Sequence, residues 1–221
     1  DAQPFWKILA TDIAFAPSGG IYLSDWVNGW NGEGKGRIYH FKPTSEEVLK
    51  TAQETTKLLS QDWSKLKPVN LEALLSHADY RVRLESQLEL VNRKSHVVFT
   101  KVLTESDNVL AQLHSLWGMG ILARHGFFET EVKEALLNFL SEDYSIELRS
   151  QVLNLLGDLQ VKSAEKTLLE VIKADDARLK FFAAKALGKI QSQKAFKAFV
   201  TLLEENQDKD PVLRHAGIMG L

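Results

Sequence analysis

The sequence contains no cysteine, and only two methionines and five prolines in 221 residues. The missing thiols exclude disulfides, thiolate metal ligation, haem attachment through CxxCH and cysteine nucleophiles within the chain. No apolar run approaches the roughly 20 residues that a membrane-spanning helix needs, so membrane insertion is not expected. Neither sign of charge is in excess: 27 basic residues stand against 29 acidic ones, a net charge of −2. The balance holds in both parts of the chain, with 8 of each in residues 1–68 and 19 basic against 21 acidic in residues 69–221. A nucleic-acid surface needs a cationic excess to displace counterions, so that partner class is not expected. Absent too are a GKS or GKT phosphate loop, a GxGxxG after a strand, a GxSxG elbow and an HExxH helix.

What is present is an ordinary globular composition, 44% hydrophobic and 25% charged, which is enough apolar surface to bury a core. The chain opens Asp1-Ala2-Gln3-Pro4 without methionine, and residues 214–221 stop inside a helical pattern. Both ends are therefore expected to be cuts within a longer protein.

Residues 1–43 read as β. Thr11–Phe15, Ile21–Ser24 and Arg37–Phe41 are short runs of strand-forming residues. Pro17-Ser18-Gly19-Gly20 supplies a turn, because proline presets φ and glycine accepts positive φ. A glycine-rich loop over residues 25–36 precedes the third strand. Three short strands bury little by themselves. Residues 44–68 read as a linker helix, opened by a Thr44/Glu47 capping box and running to about Gln61, followed by a linker ending at Pro68.

Residues 69–221 are helical and repeat. Asp79, Asp143, Asp175 or Asp176, and Asp210 each stand at an expected helix start, where a carboxylate can cap free N–H groups. A basic residue follows within two turns, at Arg83, Arg149, Lys180 and Arg214, with Gln112 in that slot of a divergent copy. Eight residues later Gly120, Gly157 and Gly188 permit close helix approach and are expected to help end their helices. Partner helices are expected over residues 70–76, 95–103, 130–140, 164–172 and 195–203. The fold class that follows is mainly α: a HEAT-like superhelical solenoid in which each helix pair covers its neighbour, preceded by a short antiparallel β segment.

The strand motif Asp12-Ile13-Ala14-Phe15-Ala16-Pro17-Ser18-Gly19-Gly20-Ile21-Tyr22-Leu23-Ser24-Asp25-Trp26, then the linker helix, then repeats including LHSLWGMGIL, resembles the large secreted planctomycete-type membrane-bound dehydrogenase or haem-binding proteins. In that family a sorbosone-dehydrogenase-like β-propeller precedes HEAT repeats and often a cytochrome c domain. Ser18 stands where that family more usually has aspartate. The resemblance implies that the β segment is the last propeller blade and that the chain is periplasmic or secreted. It also implies that haem c, calcium or a quinone would belong to the parent protein, since this chain has no CxxCH.

Candidate chemistry is sparse. Asp12 and Asp25 read either as ligands near a propeller centre or, the commoner arrangement, as turn aspartates. The loop with Asp25, Trp26, Asn28, Trp30, Asn31 and Lys35 has the stacking and amide groups to hold a sugar or quinone ring, or else packs against helices. No two histidines are spaced i, i+3 or i, i+4, so no helical metal pair is expected. His114 reads as a packing or capping residue, Met119 and Met219 read as core or interface residues, and no catalytic residue or metal centre is expected. Arg83, Arg149, Lys180 and Arg214 either line a concave face toward a protein partner or form a ladder to the aspartates or carbonyls of neighbouring repeats. The reading is a non-catalytic scaffold that contacts protein partners or other domains of its own chain, with a homodimer through the β edge as a further option. The alternative is the edge of a periplasmic sugar or alcohol dehydrogenase-like enzyme.

Overall fold

A computed structural model describes residues 8–27 and 34–221, in two compact units divided after Trp63. In the first unit, β1 (Ala10–Phe15), β2 (Ile21–Asp25) and β3 (Arg37–Phe41) form an antiparallel meander in the order β1-β2-β3. Phe15 pairs with Ile21 and Ile13 with Leu23, and Ile21 pairs with Phe41 on the other side. Opposed Tyr22 and His40 stack with ring centroids 4.2 Å apart, a cross-strand pair of the kind that fixes register. The β1–β2 turn closes as its composition demands: Gly19 has φ +80° and its N–H donates to the Ala16 carbonyl at 3.0 Å. Helix α1 (Glu46–Leu59) belongs to this unit. A Cβ on Gly19 would meet Ala52 Cβ of α1 at 2.8 Å. The expected capping box does not form. Ser45, one residue late, is the N-cap, which puts Glu47 at the second helical position rather than the third. No side chain caps this helix, and Glu46 and Glu47 favour its N-terminus by charge alone.

A 3₁₀ turn at Trp63–Lys65 spans the boundary, and the second unit holds ten helices among the described residues. They are α2 (Pro68–Leu74), α3 (Tyr80–Asn92), α4 (His96–Glu105), α5 (Val109–Arg124), α6 (Glu129–Leu136), α7 (Ile146–Asp158), α8 (Glu165–Val171), α9 (Ala177–Lys189), α10 (Phe196–Asn206) and α11 (Pro211–Gly220). The odd-numbered helices form a spine in which α3 packs on α5, α5 on α7, α7 on α9 and α9 on α11. The even-numbered helices flank it, α2 on α3, α4 on α5, α6 on α5 and α7, α8 on α9 and α10 on α11. Adjacent segments thus bury each other in order, with Leu90, Phe99, Leu116, Leu153, Leu187 and Phe199 at the contacts. α5 is apolar on nearly every side, as a helix hemmed in by α3, α4, α6 and α7 must be.

The two layers differ in how their helices start. Every spine helix has a capping side chain: Asp79 accepts from Arg81 N–H, Asn108 from Ala111, Ser145 from Leu148, Asp176 from Leu179, and Asp210 from both Val212 and Leu213. None of the flanking helices does. Asp143, expected as a cap, instead accepts from the Ser141 hydroxyl at 2.8 Å, because the helix begins two residues further on.

Spine helices end in a repeated way as well. The N–H of Ser95 bonds the Leu90 carbonyl, Phe127 that of Leu122, Val161 that of Leu156 and Ser192 that of Leu187. Each is the six-residue bond of a Schellman motif, closed by a left-handed residue just before the donor. That residue is Lys94 (φ +54°), Gly126 (φ +77°), Gln160 (φ +51°) or Gln191 (φ +58°). Gly157 and Gly188 are therefore not the residues that end their helices, and their absent side chains serve packing alone. A Cβ on Gly120 would meet Leu155 Cδ1 at 2.8 Å, one on Gly157 the Cα of Ala186 at 2.8 Å, and one on Gly188 the Cα of Gly220 at 3.2 Å.

Polar contacts stitch α7 to α9 at one interval. Glu147 pairs with Arg178 at 3.8 Å, Asn154 accepts from Lys185 at 2.9 Å, and Asp158 pairs with Lys189. The partners in each pair are 31 residues apart.

Candidate functional site

The sequence candidates of the β segment divide between described and undescribed residues. Asn28, Trp30 and Asn31 lie outside the described residues. Asp25 is buried, with Oδ1 accepting from the Leu9 N–H at 3.1 Å and Oδ2 from the Tyr39 hydroxyl at 3.3 Å. It holds strand ends together rather than standing open to a ligand. Asp12 accepts from the next residue's N–H at 2.8 Å, a contact local to β1 beside its register shift. Trp26 is half-exposed and its N–H donates to the Leu9 carbonyl, and Lys35 is exposed. No group of three metal-ligating side chains occurs among the described residues. No helix among them is long and apolar enough to cross a membrane.

Two positions of the repeated register serve the loop before their own helix. Arg83 Nη1 donates to the carbonyls of His77 at 2.6 Å and Ala78 at 2.8 Å, just before its helix. Gln112 does the same to Ser106 at 2.8 Å. Lys180 pairs with Glu205 at 3.5 Å and Arg214 with Asp208 at 3.5 Å, both solvated contacts of little weight. Arg149 is partly exposed. These positions are not brought together on one patch by any contact between them. Bonds between neighbouring repeats are made largely by other residues, among them those of the 31-residue stitch, Trp117 with Gln151 and Gln160 with the Lys189 carbonyl.

One assembly of side chains stands out, where α3 and α5 meet. Residues Tyr80, Leu84 and Gln87 repeat at helical spacing along α3, as do Leu110, His114 and Trp117 along α5, and with Arg83 and Leu113 they line a groove of about 450 Å³. Its rim is apolar and open: Tyr80 is 61% exposed, Leu110 44%, Trp117 39% and Leu84 37%. Its floor is polar and buried. His114 Nδ1 lies 2.7 Å from Gln87 Oε1, and the ring sets its edge toward Trp117. The amide oxygen can only accept, so Nδ1 carries the proton and Nε2 is left as an acceptor. Burial, and secondarily the charge of Arg83, pushes the His114 pKa down to about 4, so the ring is neutral at physiological pH. Beside it Arg83 is 8% exposed, and its Nε is buried without a hydrogen-bond partner. In sequence His114 reads as a packing or capping residue, and Trp117 is not singled out. The signal for the groove, apolar residues on a helix face that nothing covers, is not separable from a core stripe in sequence.

A larger cleft, about 650 Å³, opens between α8 and α10. Its charged residues Glu170, Lys173, Lys194, Lys197 and Glu205 are all exposed, and Lys194 is paired with Glu165 at 2.7 Å. It is a solvated furrow without a buried polar group.

Comparison with known families places the repeats. Residues 134–221 match the family model described as HEAT repeats. The matched segment runs from within α6 to the end of α11, and the packing of α2–α5 continues the same architecture toward the N-terminus. The solenoid is HEAT-like. No curated protein matches the chain.

Proposed function

We propose that the chain is a protein-interaction scaffold, with the HEAT-like solenoid as a rigid support and the α3/α5 groove as a surface it presents. HEAT repeats commonly mediate protein interactions. The observation that carries the reading here is the open apolar rim of Tyr80, Leu84, Leu110 and Trp117 on two capped, mutually packed helices. Apolar side chains held in register on a surface mark contact sites for other molecules. Affinity capture on the immobilised chain from the cells that make it, followed by size-exclusion chromatography, tests the reading. A protein co-eluting in fixed stoichiometry is expected. If nothing co-elutes, the scaffold reading fails.

A second reading concerns the β unit. Ile13 is 53% exposed, Phe15 67% and Ile38 75%, which is unusual for strand residues of this kind. This supports the sheet being one edge of a larger β structure, and the propeller resemblance extends that reading to a periplasmic or secreted parent. Oxidoreductase chemistry would then lie outside these residues. The complete reading frame tests it: flanking propeller blades are expected, and a frame without further β-strand sequence would remove it.

A further inference from the structure

We propose that the α3/α5 groove docks an amphipathic helix of a partner protein, whose apolar stripe lies on Tyr80, Leu84, Leu110 and Trp117 and whose one carboxylate pairs with Arg83. The proposal rests on the scaffold reading and gives that scaffold's partner a chemistry.

Charge is the first argument. Arg83 is a buried cation with no ion-pair partner among the described residues: the nearest acidic cap, Asp79, is taken by Arg81 at 2.6 Å. Two backbone carbonyls engage Nη1, while Nε has no acceptor. A buried guanidinium without a counter-charge is costly, and Arg83 lines the groove, where a docked carboxylate supplies that charge. His114 is held neutral and so adds no second charge to the floor. The site as built is answered by one negative charge and not by a cluster of them.

Shape and backbone chemistry decide the form of the ligand. The groove follows α3 from Tyr80 to Gln87, about 10 Å at helical rise. That matches two turns of a bound helix, whose apolar residues recur at i, i+3, i+4 and i+7. An extended peptide would bring a row of free N–H and C=O groups against mostly apolar walls whose few polar groups cannot satisfy the row. A helix satisfies its own backbone and needs only the one polar contact.

The test uses the full chain and a displayed library of helix-templated peptides randomised along one face. Enriched peptides are expected to share an apolar stripe interrupted by one Asp or Glu, and to bind the chain in fluorescence polarisation. Leu84→Glu and Leu110→Glu, at exposed positions that keep the fold, are each expected to weaken binding by about tenfold or more. Replacing the peptide's acidic residue by its amide is expected to weaken binding to the wild-type chain and to leave binding to Arg83→Gln unchanged. Should Arg83→Gln unfold, salt titration replaces it: affinity for the acidic peptide falls with salt and that for the amide peptide does not. Enriched peptides that are proline-rich, that carry lysine in place of the acid, or that bind both glutamate variants unchanged would overturn the proposal. Binding mapped elsewhere on the solenoid would overturn it too, while leaving the scaffold reading in place.

Discussion

Gly157 on α7 lies so close to Ala186 on α9 that a Cβ at position 157 would sit 2.8 Å from the Ala186 Cα. The obstacle is main chain, which cannot swing aside as a side chain can, and the whole of α9 would have to shift. Gly157→Ala is therefore expected to destabilise the solenoid by about 1–3 kcal/mol, although alanine is the better helix former. Gly188→Ala, facing the Gly220 Cα at 3.2 Å, should cost less, since a few tenths of an ångström relieve the contact. Urea unfolding followed by helical circular dichroism ranks the two. A Gly157→Ala protein as stable as wild type would show that α7 and α9 are not packed at this distance.

Gln191 takes φ +58° to close the Schellman turn after α9, a backbone region that costs an L-residue with a Cβ roughly 1 kcal/mol. Gln191→Gly is expected to raise stability by about that much, against the usual direction for glycine. Gln160, at φ +51°, is a poorer choice because its side-chain amide donates to the Lys189 carbonyl at 3.2 Å, a contact the glycine would lose. The shift in thermal midpoint of Gln191→Gly reads out the effect, and a fall would contradict the turn assignment.

The ease of reading the repeats and the difficulty of reading the groove have one cause. Asp79, Asp176 and Asp210 are legible as caps because capping is local: an acidic residue, an extended backbone and two free N–H groups within three residues. Asp143 misled because Ser145 stands two residues on and is equally able to cap, and only the chain path decides which turns extended. The register of Arg83, Arg149, Lys180 and Arg214 was visible as a period, but a period does not say which atoms meet. Arg83 turns back on its own loop, while bonds between α7 and α9 run through Asn154, Asp158, Lys185 and Lys189. The β-strands were found within a residue of their ends because alternation and the Pro17–Gly20 turn are short-range signals. Tyr80 and Leu84 look in sequence like any core stripe. That they stay uncovered depends on where α5 stops shielding α3, a property of the assembled solenoid.

Arg93, near the end of α3, draws the 3₁₀ segment that precedes α2 onto the solenoid. Its Nη1 donates to the Leu66 carbonyl at 2.8 Å, Nη2 to Ser64 at 3.0 Å, and Nε to Glu89 Oε1 at 2.7 Å. Lysine has one ammonium where arginine has a planar fork, and cannot reach three acceptors spread in this way. Arg93→Lys is expected to cost about 1–2 kcal/mol and to expose residues 64–67 to proteolysis before the rest of the unit. Equal protease resistance in the two proteins would argue that this segment is held by other contacts.

His114 makes the solenoid sensitive to mild acid. In the unfolded chain its ring takes a proton below about pH 6.5, whereas in the fold, buried against Gln87 and near Arg83, it does so only below about pH 4. Between those values the unfolded state holds more protons, so stability falls as pH drops through the window and is fully present above it. The loss should reach about 2 kcal/mol by pH 4, after allowance for water near the groove. Other groups titrate in this range too, notably carboxylates such as Asp79 and Glu165, whose ion-paired forms are stabilised to lower pH and add to the loss near its acid end. The His114 share is isolated by comparison with His114→Gln, whose amide can still meet Gln87 but cannot titrate. Urea midpoints at pH 7.5 and 5 should differ more for wild type than for His114→Gln. If the two proteins lose stability equally between these pH values, the ring is not held neutral at the α3/α5 contact.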